Sequence, residues 1–182
     1  MRPCKLHIVG GSGTGTTTLG RAIADVWAVP HADSDDYFWE PTEPPYLRQR
    51  APQRRVELML EVFAQRAAWV LSGAINGWGD EILQRCDAVV FLSLNTAERL
   101  KRIDQRERIR RSGEEINTEA FGEFMAWAGK YDDPQFQGRS RARHETWLST
   151  LQLPVLRLDS SRSVQELRDD VLSWESDLRT GE

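Results

Sequence analysis

The sequence predicts an α/β fold of three layers, in which helices cover both faces of a five-stranded parallel sheet. Strand and helix patterns alternate along the chain, which is the order that places crossover helices on a parallel sheet. A glycine-rich segment joins the first strand pattern to the first helix pattern, and residues 88–92 form an apolar run typical of a fully buried strand. With 182 residues, the chain is expected to form one domain over residues 1–182.

The spacing of apolar residues gives the order of the elements. Short β-prone runs predict strands at residues 5–9, 30–33, 69–72, 88–92 and 154–158. Helical spacing predicts helices at residues 17–27, 96–111, 118–130 and 164–178, and one more that ends near residue 151. Another helix is predicted between the second and third strands from Val56, Met59, Leu60, Phe63 and Ala67. Ligands bind at the carboxyl ends of strands in such sheets, so polar residues there are the candidate site residues.

Composition excludes several classes of function. The net charge of −4 argues against general binding to nucleic acid or to anionic membranes. No apolar run is long enough to span a bilayer, and the first residues lack the pattern of a signal peptide. The two cysteines, Cys4 and Cys86, are far apart and not in a metal-binding spacing. We therefore expect a cytoplasmic protein with no nucleic-acid or membrane partner, and the sequence leaves its oligomeric state open.

The segment after the first strand resembles a phosphate-binding loop. Gly10, Gly15 and Thr17 fit the pattern G-x-x-x-x-G-K-[ST], while Thr16 stands where lysine is usual. Glycines let successive N–H groups point into one concavity, and the following helix adds the positive end of its dipole. A plain strand–helix turn is the alternative. The predicted nucleotide-binding residues, which we call the glycine loop, are Gly10, Gly11, Ser12, Gly13, Thr14, Gly15, Thr16, Thr17 and Thr18.

A group of carboxylates follows the second predicted strand. Asp33 and Asp35 would project to the same side if that strand continued, and so could share one site. Phosphoryl transfer to a hydroxyl needs a carboxylate that orients the acceptor or takes its proton, and Mg²⁺ often needs another. Asp33 is therefore predicted to be catalytic and, with Thr17, to bind the metal, and Asp35 to bind substrate. Helix capping by Asp33 or Ser34 is the alternative.

Two further segments supply candidate substrate-binding residues. The loop after the third strand holds three glycines in seven positions, which indicates a sharp bend or close approach to a ligand, and Gly73, Asn76 and Trp78 are its candidates. A flexible loop with Trp78 packed on the core is equally compatible. Arg139 belongs to a later basic segment that could bind an anionic acceptor, and a solvated loop is the alternative.

An arginine stripe lies on the long helix after the fourth strand. Arg99, Arg102, Arg106 and Arg110 recur at spacings of three, four and four, which places them on one helical face. A solvated face with Glu–Arg pairs is the ordinary explanation. If this helix forms a lid, within about residues 96–145, its arginines could clamp the transferring phosphoryl group and replace the missing lysine. Arg106 and Arg110 are the predicted catalytic arginines.

These motifs together resemble the P-loop small-molecule kinases, which include adenylate, cytidylate, shikimate and gluconate kinases. Residues 13–18 resemble the G-S-G-T-T-T loop of archaeal-type cytidylate kinases, where threonine also replaces lysine. Asp33-Ser34-Asp35 resembles the D-S-D of shikimate kinases, in which the first aspartate lies near Mg²⁺ and the second near the acceptor. Gly73-Ala74-Ile75 replaces the three glycines of shikimate kinases, which argues against shikimate itself.

The resemblance implies a P-loop NTPase fold with a helical lid, and a kinase that uses Mg²⁺ with ATP. The acceptor would be a nucleoside monophosphate or a small hydroxylated metabolite. A nucleotide-binding regulatory module with little kinase activity is the first alternative, because lysine is absent at Thr16. A nucleotide hydrolase is the second alternative.

Overall fold

The computed structural model describes residues 1–43, 45–110 and 118–175. Five strands form one parallel sheet in the order β2-β3-β1-β4-β5, which confirms the predicted fold class. The strands are β1 (Lys5–Gly10), β2 (His31–Asp33), β3 (Trp69–Ser72), β4 (Ala88–Ser93) and β5 (Val155–Asp159). Because all strands run in one direction, their carboxyl ends bring Gly10, Asp33 and Ser72 to the same edge of the sheet.

Eight helices lie within the described residues. They are α1 (Thr16–Trp27), α2 (Ser34–Phe38), α3 (Pro52–Met59), α4 (Asp80–Leu83), α5 (Thr96–Arg110), α6 (Thr118–Gly129), α7 (Arg141–Thr150) and α8 (Val164–Ser173). A π-helical turn, Leu60–Ala64, extends α3, and a 3₁₀ turn, Lys130–Asp132, follows α6. No helix in the ranges described above has the length and apolar character needed to cross a bilayer.

The alternation of side chains along β1 assigns the two faces of the sheet. Leu6 and Ile8 face the core that α1 and α8 cover, where Ile23 and Val171 are fully buried. Val9 points to the opposite face and packs with Phe91 and Leu148 of α7. The π-helical turn covers the β3 end of that second face, where Phe63 contacts the buried Trp69 ring. Apolar burial on both faces is the main term that stabilises such a sheet.

The structure departs from the sequence-based expectations at several element ends. β2 ends at Asp33, as predicted, and α2 begins at Ser34, so Asp33 and Asp35 do not project from one continuing strand and Asp33 caps α2 instead. The helix predicted between the second and third strands is divided into α3 and the π-helical turn. Residue 111 of the predicted long helix and residues 176–178 of the predicted closing helix lie outside the described residues.

Candidate phosphoryl-transfer site

The glycine loop connects β1 to α1 and is fixed by its own hydrogen bonds. The Thr14 N–H and hydroxyl both donate to the Gly11 carbonyl, at 3.1 and 2.8 Å. Gly13 and Gly15 have φ of +86° and +87°, a conformation that glycine adopts without steric cost. No side chain caps the start of α1 and no acidic residue lies in its first turn. Its first backbone N–H groups and its dipole are therefore suited to an anion.

Helix α5 and the 3₁₀ turn pack against the glycine loop. A Cβ atom on Gly13 would lie 2.5 Å from the Arg99 carbonyl oxygen, and one on Gly11 would lie 3.0 Å from the Tyr131 ring. Arg99 is fully buried and donates from Nη1 to the Ser12 and Ala128 carbonyls, at 3.2 and 3.3 Å. Arg99 therefore connects the glycine loop to α6, and its contacts are those of a structural residue.

Thr17 and Asp33 meet at the carboxyl edge of the sheet. The Thr17 hydroxyl donates to Asp33 Oδ2 at 2.7 Å, and Asp33 Oδ1 accepts the Asp35 N–H at 3.1 Å. Asp33 is thus the N-cap of α2 and the partner of Thr17 at once. Both groups offer hard oxygen atoms, which fit Mg²⁺ bound through one or two protein ligands together with phosphates. No group of three or more His, Cys, Asp or Glu side chains within the described ranges is arranged to hold a metal by itself.

The charges of Asp35 and Arg139 act on each other. Both are exposed to solvent, yet each is surrounded closely enough for desolvation to shift its pKa. Desolvation raises the pKa of Asp35 and the Asp33 charge adds to this, while Arg139 and Arg106 oppose it. Desolvation lowers the pKa of Arg139, and the Asp35 charge opposes that shift. Partial exposure with a desolvated charge is typical of a cleft, so both residues are suited to bind a small polar molecule.

With this geometry in view, comparison with known proteins identifies relatives. No family model matches the chain. The Bacillus subtilis (strain 168) protein named "Uncharacterized protein YqaC" is 38% identical over 174 residues, which cover 93% of this chain and 96% of that protein. The chain belongs to the YqaC family.

Solved structures share the fold at lower identity. A gluconokinase from Sinorhizobium meliloti 1021 matches with a TM-score of 0.55 and 18% identity, over 95% of this chain and 92% of that one. Shikimate kinase from Acinetobacter baumannii, solved in complex with shikimate, matches with a TM-score of 0.52 and 18% identity, over 94% and 92% of the two chains. The fold is therefore that of the P-loop small-molecule kinases, which confirms the resemblance inferred from the sequence.

The three predicted substrate-binding residues of the loop after β3 lie in different surroundings. Gly73 has φ of +96°, and a Cβ atom there would collide with the Ser34 hydroxyl, so Gly73 lets the loop approach the start of α2. Asn76 Oδ1 is buried and has no hydrogen-bond partner in the described part of the chain. Trp78 packs against Phe38 and lines a cavity between α3 and α4 to which the glycine loop does not contribute. Their contact with a substrate stays a prediction.

The arginine stripe contains residues in distinct environments. Arg102 donates to the Ser160 carbonyl at 2.8 Å, and its Nη1 lies 4.0 Å from where a Cβ on Gly15 would be. Arg106 is exposed, and its charge acts on Asp35. Arg110 pairs with Glu107 at 2.8 Å, and its guanidinium lies 5.7 Å from the centre of the Tyr46 ring. The catalytic roles of Arg106 and Arg110 stay predictions, while Arg99 and Arg102 are the members of the stripe that lie beside the glycine loop.

The sequence patterns assigned no role to three residues at this site. Tyr131 packs on the glycine loop, and His31 and Ser72 extend the hydrogen bonds of Asp33. Their contacts join residues that are 39 to 120 positions apart, so no local spacing signals them. For Arg102, the signal was its membership of the stripe.

Proposed function

We propose that this protein is an ATP-dependent phosphotransferase that moves the γ-phosphoryl group to a hydroxyl of a small-molecule acceptor. The observation that carries the proposal is the Thr17–Asp33 hydrogen bond of 2.7 Å, which joins the start of α1 to the carboxylate at the end of β2. The uncapped helix end would bind the phosphates, and Asp33 lies at the same sheet edge. The kinase fold of the structural neighbours supports this assignment.

Thr17 and Asp33 are the groups of this chain that would take part in the transfer. Mg²⁺, when bound, neutralises charge on the phosphate oxygens. The Thr17 hydroxyl donates a hydrogen bond to Asp33, so the lone pairs of its oxygen are available to bind the metal. The acceptor oxygen bonds to the γ-phosphorus as the bridging P–O bond to ADP breaks, and the hydroxyl proton passes to a carboxylate. Asp33 either takes this proton or supports the metal.

The acceptor class follows from the charges of the cleft. Asp35 offers carboxylate oxygens to an acceptor hydroxyl, and Arg139 is a cation with no salt bridge among the described residues. A desolvated cation that forms no salt bridge favours an anionic ligand. We therefore favour a nucleoside monophosphate or a small hydroxylated metabolite that carries a negative charge.

The assay is ADP formation from Mg·ATP or Mg·GTP with a panel of nucleoside monophosphates, nucleosides, shikimate, gluconate and related alcohols. We expect one acceptor to raise ADP release well above background. Asp33→Asn should abolish transfer and leave ATP binding largely intact, whereas Asp36→Asn, an exposed neighbour, should retain transfer. ADP release that no acceptor stimulates would instead indicate a hydrolase, and transfer by Asp33→Asn at the wild-type rate would refute the role of Asp33.

The alternative is a nucleotide-binding regulatory module with little or no kinase activity. Thr16 motivates it, because a lysine would normally add a charged hydrogen bond worth about 1.5–3 kcal/mol. Binding of ATP without turnover on any acceptor would favour this alternative. In that case Thr16→Lys should raise the ATP affinity several-fold, whereas a kinase adapted to threonine should gain little.

A further inference from the structure

Helix α1 contains a glycine whose missing side chain makes room for a histidine. Gly20 lies three residues after Thr17, in the interior of the helix. A Cβ atom there would lie 2.7 Å from His31 Nε2 and 2.9 Å from its Cδ2. Glycine costs about 1 kcal/mol relative to alanine in a helix interior. The helix thus gives up stability at the position where the His31 imidazole lies against its backbone.

His31 begins a chain of polar contacts that ends at Thr17. His31 Nε2 lies 3.0 Å from Ser72 Oγ, and Ser72 Oγ lies 3.4 Å from Asp33 Oδ2, the oxygen that accepts the Thr17 hydroxyl. Ser72 is fully buried, and its other acceptor within reach is the Ala32 carbonyl, at 3.4 Å. The four side chains come from β2, β3 and α1, so the fold brings them together.

The direction of the Ser72 hydroxyl proton decides whether this series of contacts restrains Asp33. A serine has one proton to donate. If His31 carries its proton on Nε2 and donates to Ser72 Oγ, the Ser72 proton is free to point at Asp33 Oδ2. Asp33 Oδ1 already accepts the Asp35 N–H and Oδ2 already accepts the Thr17 hydroxyl, so the Ser72 proton adds a third hydrogen bond that further restrains the carboxylate. Fixed carboxylates present their remaining lone pairs to a metal in one orientation.

We propose that His31 is a positioning residue that acts through Ser72 to orient Asp33 for the metal–nucleotide complex, and that Gly20 is present to admit it. This inference rests on the proposed function, because it assumes that Asp33 and Thr17 meet Mg²⁺ there. His31 itself touches neither substrate nor metal in this proposal. Changes to such outer partners of metal ligands commonly lower metal affinity about 10–100-fold. The 3.4 Å contact from Ser72 to Asp33 is long, so we expect the lower end, about tenfold.

The experiment measures how strongly Mg²⁺ promotes ATP binding, by calorimetric titration of ATP in Mg²⁺ and in EDTA. His31→Leu should reduce the apparent Mg²⁺ affinity of the ATP complex about tenfold and leave metal-free ATP binding unchanged. His31→Gln, whose amide nitrogen occupies nearly the place of Nε2, should retain most of the wild-type value. This rescue separates positioning from a merely structural role, which would lower both measurements together.

Glycine substitutions give a second, independent arm. Gly20→Ala should displace the imidazole and reproduce the His31→Leu defect, although alanine improves the helix. Gly122→Ala is the matched control, because Gly122 is also helical and a Cβ there meets nothing within 4 Å. Equal Mg²⁺ affinity in wild type, His31→Leu and Gly20→Ala would overturn the inference. A wild-type protein that binds ATP with no effect of Mg²⁺ would instead refute the proposed function.

Discussion

Replacing Arg99 with methionine should lower the free energy of unfolding more than replacing an exposed arginine of the same helix. The change removes the Nη1 hydrogen bonds to the Ser12 and Ala128 carbonyls. It also removes Nη2 contacts at 3.1 Å to the Thr96 hydroxyl and 3.4 Å to Asp132. A buried carbonyl that loses its partner costs about 1–3 kcal/mol.

Three features limit the cost. Asp132 keeps its ion pair with Arg141 at 2.6 Å, methionine needs no desolvation of a charge, and Arg99 Nε already lacks a partner in the described part of the chain. We therefore expect a loss of about 3 kcal/mol in the free energy of unfolding, at the low end of the range for broken buried pairs.

Urea denaturation followed by tryptophan fluorescence measures this loss. The expected change is a lower midpoint at an unchanged slope, with a melting temperature lower by about 6–12 °C. Arg108→Met is the control, because Arg108 is 72% exposed and its pair with Asp104 is worth no more than about 0.5 kcal/mol. If Arg99→Met cost less than about 1 kcal/mol, or no more than Arg108→Met, the inference that Arg99 joins the glycine loop to α6 would be wrong.

Three further predictions concern the cleft, the loop and the buried histidines. Arg139→Gln should raise the acceptor KM about 10–100-fold with little change in ATP affinity, as measured by initial rates, since it removes one charged hydrogen bond. Gly13→Ala should abolish ATP binding in calorimetry, because φ of +86° and the Arg99 carbonyl at 2.5 Å both oppose a Cβ. Burial lowers the pKa of His7 and of His144 to about 4, below the unfolded value, so the unfolded chain binds more protons between about pH 4 and 6.5. Stability should fall as pH drops through that window by up to about 3 kcal/mol per histidine, and His7→Leu should flatten the pH dependence of urea midpoints.

The parts of the fold that local patterns encode were predictable from sequence. β-prone runs and glycine spacing act over neighbouring residues, so the five strands and the glycine loop were predicted within a few positions. The helices α2 and α4 were missed because elements of five and four residues are too short to show a helical period. The end of β2 at Asp33 was predicted correctly, and so was the alternative that Asp33 caps the following helix.

The roles within the arginine stripe were not predictable from spacing. Arg99 and Arg106 lie on one helical face, yet Arg99 is fully buried and Arg106 is exposed. The difference arises because α5 packs against the glycine loop at Arg99, while Arg106, about two turns later, is exposed and its charge acts on Asp35. Asp132, which meets Arg99 Nη2, lies 33 residues further along the chain, and no periodicity within the helix encodes that contact.

The position of Arg102 bears on how this chain functions with Thr16 in its glycine loop. Its guanidinium lies beside Gly15 and is held by the Ser160 carbonyl, so α5 would supply from outside the cation that a lysine supplies from within the loop. If so, the two cations are alternatives and their effects are not additive. Thr16→Lys should add little ATP affinity in the wild type. In the Arg102→Ala background, where we expect affinity to fall about tenfold, the same change should restore most of it. Calorimetry on the four proteins of this cycle decides the point, since an equal gain from lysine in both backgrounds would show that Arg102 does not substitute for it.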